Sequence, residues 1–281
     1  MIPAAFDYVR PTSVDEALAA LGGEDAKVLA GGQSLLPVLR LRLNAPALLV
    51  DCSRVDEMIG ITDTGSSITI GAATTHHAVL SHPLVQQHVA LLAQAAGTVA
   101  DPAIRHRGTL GGSLAHADPA GDLPTVAAAL DASFTIAGPG GRRTVSSADF
   151  FQDYFTTAVG EDELLVSISF PKTTGWGSHY EKFNRTAQAW AIVGVAAAVR
   201  LEGGRIAEAR VGLTNMGPIP IKAASVEAAL IGAGDAAAVA AAAERAVDGT
   251  RPTSDMHAEA DYRTHLATVL TRRAVLAAAG W

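Results

Sequence analysis

The sequence predicts an α+β fold in three parts, and three observations carry that expectation. Helix-like and strand-like segments alternate closely through roughly the first fifty residues. A long Gly-, His- and Asp-rich stretch interrupts the middle of the chain. A valine-rich run, a Gly-Gly turn and several alanine-rich helical patterns fill the last third. A chain of 281 residues is too long for one small core, so two or three subdomains are expected.

Ser13-Val14-Asp15-Glu16 has capping-box spacing, and Val14, Ala17, Leu18 and Leu21 then fall on one helical face. Gly22-Gly23 ends that helix. Val28-Leu29-Ala30 reads as a short buried strand, broken by Gly31-Gly32-Gln33-Ser34. A helix is expected over Leu35 to Leu43, with Ser34 as candidate N-cap and Pro37 in the first turn, where proline is tolerated. Leu48 to Val50 reads as a strand, giving a compact β-α-β-α-β pattern.

Farther on, Ile68-Thr69-Ile70 predicts a strand and Leu84 to Val99 a helix. Asp101 to Pro124 has few helix or strand signals, and so long a loop in a compact domain usually has a job. Leu123 to Leu130 reads as helix with Asp122 as candidate cap; Phe134 to Ala137 and Leu164 to Phe170 read as strands, with Gly138 to Gly141 a turn. In the last part, Ala191 to Leu201 and Ala207 to Leu213 flank a hairpin turn at Glu202-Gly203-Gly204-Arg205. Helices are expected over Ala223 to Leu230, Ala236 to Val247 and Glu259 to Ala279. The expected divisions are 1–58, 59–176 and 177–281.

Composition removes several classes. Charged residues make up 17% and hydrophobic residues 49%, an ordinary globular balance. A net charge of −7 argues against nucleic-acid binding, which needs clustered Lys and Arg. Nothing approaches the ~20 apolar residues of a membrane span, and the N-terminus lacks the order of a secretory signal. The single cysteine, Cys52, excludes an intrachain disulfide and an iron–sulfur cluster held by this chain's cysteines alone. These features point to a cytoplasmic protein.

Two glycine-rich segments carry the chemistry. Ala30-Gly31-Gly32-Gln33-Ser34-Leu35 follows a strand and precedes a helix. Glycines there let backbone N–H groups approach a phosphate, although a plain tight turn has the same composition. The segment matches neither G-x-G-x-x-G nor the lysine-bearing phosphate loop. Gly108-Thr109-Leu110-Gly111-Gly112-Ser113 is the second, with hydroxyls on Thr109 and Ser113 that can bond phosphate or sugar oxygens. Together the two can grip one pyrophosphate from both sides. His76-His77 is a metal or covalent-cofactor candidate by composition, but adjacent helical histidines point apart, so surface or capping roles are expected. His106 and His116 flank the second glycine segment. No His, Cys or carboxylate set has zinc-site spacing, so no metal is expected.

Ala30-Gly-Gly-Gln-Ser-Leu-Leu-Pro37 with Leu39-Arg-Leu41, and Thr109-Leu-Gly-Gly-Ser-Leu-Ala-His-Ala-Asp-Pro-Ala-Gly-Asp-Leu-Pro124, resemble the FAD-binding medium subunits of the molybdenum hydroxylase family, the carbon monoxide dehydrogenase and xanthine dehydrogenase type. Phe6-Asp7-Tyr8, Arg10-Pro11-Thr12-Ser13 and Tyr180-Glu181-Lys182-Phe183 extend the likeness over nearly the whole chain. The resemblance implies two α/β subdomains that clasp FAD in a PCMH-type fold, then a C-terminal three-stranded antiparallel sheet with helices. It implies that Ala30, Gly31, Gly32, Gln33, Ser34 and Leu35 line the pyrophosphate and that Thr109, Gly111, Gly112 and Ser113 oppose them. Asp122 would accept from a sugar or ribityl hydroxyl, while Leu165 and Lys182 would touch the flavin. Trp190 lies where the carbon monoxide dehydrogenase branch has an aromatic over the isoalloxazine; core packing is the alternative. Tryptophan replaces the tyrosine of that branch, and Arg185-Thr186-Ala187-Gln188 departs from its basic run.

The implied role is electron transfer. A large molybdopterin-binding subunit would oxidise the substrate and a small [2Fe-2S] subunit would relay electrons to FAD on this chain. NAD, a quinone or oxygen would be the final acceptor. The alternatives are a self-contained flavin oxidase or dehydrogenase, or a nucleotide-binding module without redox chemistry.

Overall fold

The capping residue starts the first helix where the sequence places it. In the computed structural model, which describes residues 2–281, Ser13 is extended and its hydroxyl accepts the Glu16 amide at 3.2 Å. Helix α1 (Val14–Leu21) then buries Val14, Ala17 and Leu21. Strands β1 (Asp7–Val9) and β2 (Ala26–Leu29) both run parallel to β3 (Leu48–Asp51), in the order β1-β3-β2. Between β2 and β3 lies a short helix, α2 (Leu35–Arg40). It stops before Leu43, and Arg42 adopts a positive φ of 57°.

The second lobe is built on a five-stranded antiparallel sheet, β4-β5-β10-β6-β7. Strands β4 (Ile61–Asp63) and β5 (Ser67–Gly71) enter it first. A helical block follows: α3 (His76–Ser81), α4 (Pro83–His88), α5 (Ala90–Thr98), α6 (Pro102–Arg105), α7 (Leu110–His116) and α8 (Asp122–Ala129). The hairpin β6 (Ser133–Gly138) and β7 (Gly141–Ser146) turns at the expected glycines. A turn of helix α9 (Ser147–Phe150) and the small hairpin β8 (Phe151–Asp153) and β9 (Thr156–Thr157) lead to β10 (Leu164–Pro171).

Two expectations fail in this lobe. The single helix over Leu84 to Val99 is two helices, broken at Val89 with φ −141° and ψ 49°. No glycine or proline marks the break; Val85, Val89, Leu91 and Leu92 are all fully buried, and the bend lets both helices serve one core. Conversely, the stretch read as a loop contains α6 and α7. Glycine in a helix interior costs about 1 kcal/mol against alanine, which hides α7 from a propensity reading. Thr109 compensates as its N-cap, accepting the Gly112 amide at 3.0 Å.

The third part is a four-stranded antiparallel sheet of β11 (Gly177–Phe183), β12 (Val193–Glu202), β13 (Arg205–Thr214) and β14 (Ile221–Lys222). Three strands are long, as expected, and the two-residue β14 adds a fourth along the β13 edge. Helices α10 (Ala224–Leu230), α11 (Ala236–Ala243) and α12 (Ala260–Ala279) complete it. The apolar run in β12 has a clear cause. Ala196 and Ala198 face the core shared by the first two lobes, while Val195, Ala197 and Val199 face the helices of the third. A strand covered on both faces has no polar face to alternate.

Candidate functional site

The first glycine segment leaves β2 at Leu29 and turns through Gly32, whose φ is +73°. Gln33 Nε2 donates to the Gly31 carbonyl at 2.9 Å, and the Leu36 amide donates to the Gly32 carbonyl at 3.0 Å. Among the described residues, the backbone N–H groups from Gly31 to Leu35 donate to no protein acceptor. Unpaired, half-buried amides are costly unless water or a ligand meets them. Ser34 occupies the N-cap position of α2, but its hydroxyl makes no capping bond, so the expected cap is not formed.

The second segment is tied down instead. Its entry pairs with the start of α3: His76 N–H donates to the Gly108 carbonyl and Leu110 N–H to the Thr74 carbonyl, both at 2.9 Å. Gly111 N–H donates to Ala72 at 2.8 Å, and Ser113 N–H to Thr109 at 3.1 Å. A Cβ on Gly111 would stand 2.4 Å from the Ala72 Cβ, so the loop packs too closely for a side chain.

The two segments touch. A Cβ on Gly31 would lie 2.2 Å from the Arg107 carbonyl oxygen and 2.6 Å from the Gly108 Cα. One on Gly112 would lie 3.5 Å from the Ala30 Cβ. The fold therefore brings Gly31 against Arg107 and Gly108 and Ala30 against Gly112; Gly32, Gln33, Ser34 and Leu35 continue the first segment with its free donors, and Thr109, Gly111 and Ser113 continue the second.

Asp122 and Lys182 are also brought together, with each other. Lys182 Nζ donates to Asp122 Oδ2 at 2.7 Å and to the Thr98 carbonyl at 3.2 Å. Tyr180 donates to Asp122 Oδ1 at 2.8 Å and lies 2.9 Å from the Thr214 hydroxyl, which donates to Thr125. The Asp122 and Lys182 side chains are 4% and 6% exposed. Burial pushes the Asp122 carboxyl up, and the Lys182 charge and bond oppose that rise only in part. The Tyr180 hydroxyl goes well above its usual range through burial and the carboxylate beside it. Removing one partner of such a buried pair costs about 3–5 kcal/mol. Gly194 makes the room, since a Cβ there would lie 2.6 Å from the Tyr180 hydroxyl. The cap of α8 is Gly121, not Asp122, whose carboxylate is turned to this network. Each of its oxygens keeps a further lone pair for a hydroxyl.

Leu165 is buried in β10 opposite Ile136, where the pairing register shifts. Its neighbour Val166 accepts the amide of Ala72, the residue that packs on Gly111. Trp190 stands apart: it is 55% exposed, so it is not a core residue. The backbone just after it is clamped by Asn215, which donates to Ala191 at 2.9 Å, and by Arg263, which donates to Ile192. Sequence reasoning missed Tyr180 and Thr214 as members of the Asp122 network. Tyr180 had a signal, standing two residues before the expected lysine on one strand; Thr214 had none. His76 is buried rather than on the surface, and Thr75 supplies the α3 cap. Among the described residues no group of three or more His, Cys, Asp or Glu is placed to hold a metal. None of the helices described is long and apolar enough to cross a membrane.

Fold and junction together define a two-lobed α/β module, with free backbone donors at its glycine junction, joined to a sheet-and-helix domain. Residues 4–173 match the family of FAD binding domains in molybdopterin dehydrogenase, and residues 178–278 match the CO dehydrogenase flavoprotein C-terminal domain. The carbon monoxide dehydrogenase medium chain of Hydrogenophaga pseudoflava is 42% identical, with 99% of this chain and 98% of that one covered. The corresponding chain of Afipia carboxidovorans is 38% identical, covering 98% and 97%. A solved carbon monoxide dehydrogenase from Hydrogenophaga pseudoflava, lacking the Mo-pyranopterin moiety, superposes with a TM-score of 0.95 at 44% identity over 99% of this chain and 98% of that chain. The chain belongs to the FAD-binding medium subunits of the molybdenum hydroxylase family. It is an oxidoreductase component whose cofactor is FAD, and its relatives are medium chains of multi-subunit dehydrogenases.

Proposed function

We propose that this chain holds FAD across the junction of its two glycine segments and passes electrons from the [2Fe-2S] clusters of a small subunit to an external acceptor. The observation that carries the reading is the run of N–H groups from Gly31 to Leu35 without a protein acceptor among the described residues, beginning where Gly31 meets the second glycine loop. Free amides on a glycine turn suit a pyrophosphate, so the residues present fit the cofactor. FAD, when bound, supplies the exchange between one-electron carriers and a two-electron acceptor.

The chain's own residues bind and orient. Gly31, Gly32, Gln33, Ser34 and Leu35 donate to the phosphates, and the Thr109 and Ser113 hydroxyls meet them from the other side. Asp122, set by Tyr180 and Lys182, accepts from a sugar hydroxyl. Lys182 and Leu165 border the flavin, and Trp190 covers it. A large molybdopterin-binding subunit oxidises the substrate, and NAD, a quinone or oxygen takes the electrons, in the cytoplasm. The full-length likeness to medium chains favours this over a self-contained flavin oxidase.

The test is anaerobic bleaching of the flavin band. Dithionite should reduce the flavin of the isolated chain. Carbon monoxide, purines, nicotine-like compounds and aldehydes should leave it oxidised until both partner subunits are added. Rapid bleaching of the isolated chain by any of these substrates would overturn the subunit reading.

A further inference from the structure

The adjacent histidines at the start of α3 have no part in the reading above. His76 is 4% exposed, and its buried Nδ1 has no hydrogen-bond partner among the described residues. Its ring lies against Gly108: a Cβ there would stand 2.9 Å from His76 Cδ2 and 3.0 Å from Nε2. The His76 amide also donates to the Gly108 carbonyl at 2.9 Å. Gly108 and Arg107 are the residues that touch Gly31 of the first segment. His77 points the other way and stacks on His106, with ring centroids 3.9 Å apart and planes 20° from parallel. Two successive helical residues thus grip positions 106 and 108 of one loop.

We propose that His76 and His77 are positioning residues for FAD, holding the 106–108 backbone against Gly31 so that the two glycine segments keep the spacing a pyrophosphate needs. The proposal rests on the reading of that junction as the FAD site. Neither histidine touches the reaction; both act through the loop.

A buried imidazole without a partner is tolerated only while neutral. Burial pushes the His76 imidazole from 6.5 down to about 4, and the Arg105 charge pushes the same way. The charged and titratable groups around it come from several elements. His77 shares its helix; of the elements packed on α3, α6 with its cap and the residues after it carry Asp101, Arg105, His106 and Arg107, and α4 carries His88 with His82 at its cap, while Arg105 is the charge that acts on His76. Helix α5, packed on α3, has no ionisable side chain. Because the folded value lies below the unfolded one, the unfolded state binds more protons between them. The contribution of His76 to folded stability is therefore fully present above pH 6.5 and is lost as pH falls from 6.5 towards about 4, while the folded clamp keeps a neutral ring until about 4.

The experiment measures FAD affinity of the full chain by flavin fluorescence, with circular dichroism as the check on folding. His76→Ala should raise the FAD dissociation constant at neutral pH by about tenfold, and His77→Ala by about threefold. His76→Phe keeps a ring against Gly108 but cannot take a proton. It should bind FAD near the wild-type level at neutral pH and lose much of the wild-type fall in folded stability on acidification, read by circular dichroism. Wild-type affinity in folded His76→Ala, or a wild-type acid profile in His76→Phe, would overturn the proposal. If His76→Ala does not fold, His77→Ala decides, and wild-type affinity there sinks the clamp. Gly32→Val and Gly112→Val separate the two layers. If those folded variants keep FAD, the junction is not the site; if they lose it while the histidine variants do not, the clamp alone fails.

Discussion

Two glycine-rich segments of similar composition have different physical roles in this molecule. In the first, the amides from Gly31 to Leu35 meet no protein acceptor among the described residues, and Gly32 is in the left-handed region. In the second, Leu110, Gly111, Gly112 and Ser113 already donate to Thr74, Ala72 and Thr109. The first segment presents donors; the second offers a backbone thin enough to pack against Ala72 and approach Ala30. Glycine enrichment alone does not define a phosphate cradle. What matters is whether the N–H groups it uncovers remain unspent.

The difference can be broken at each segment in turn. The largest effect is expected from Gly111→Val, whose Cβ would stand 2.4 Å from the Ala72 Cβ and 2.6 Å from its carbonyl oxygen. The loss should exceed about 3 kcal/mol, the upper range for overpacking, and lower Tm by roughly 6 °C or more. Flavin loss would follow from the damaged fold. An unchanged Tm by thermal circular dichroism would refute tight packing at this glycine.

Gly32→Ala should behave oppositely. The left-handed backbone costs a non-glycine residue about 1–2 kcal/mol, and the new methyl would press on Leu36. The fold should survive with a Tm lower by a few degrees, while the FAD dissociation constant rises by about tenfold. Fluorescence titration of flavin-free protein checks this. Wild-type affinity would mean that the free amides do not face phosphate.

The smallest effect should come from Thr109→Val, which keeps the shape but removes the oxygen that accepts the Gly112 amide. The loss is about 1 kcal/mol, or roughly 2–4 °C in Tm, and Thr109→Ser should restore it. Failure of serine to restore stability would show that the methyl group, not the cap, is what the site needs.

Much of the scaffold was legible from local chemistry. Ser13 and Glu16 marked α1, and Gly203 and Gly204 marked the β12–β13 hairpin with positive φ values. These signals are carried by a few neighbouring residues, so no knowledge of the rest of the chain is required. The break at Val89 and the glycine-containing helix α7 were not legible, because packing and a cap override intrinsic propensity there.

The sequence by itself determined the family likeness, the cofactor class and the identity of the residues at the junction. It also excluded a cysteine-held iron–sulfur cluster on this chain, since Cys52 stands alone. Only the tertiary structure decided which amides stay free, that Gly31 meets Arg107 and Gly108, and that Asp122 joins Tyr180 and Lys182 instead of capping α8. It also placed His76 inside and Trp190 outside. The physical reason is that hydrogen-bond satisfaction and burial belong to pairs of groups distant in sequence. A residue's type limits what it can bond, but its partner is set by the chain that folds against it.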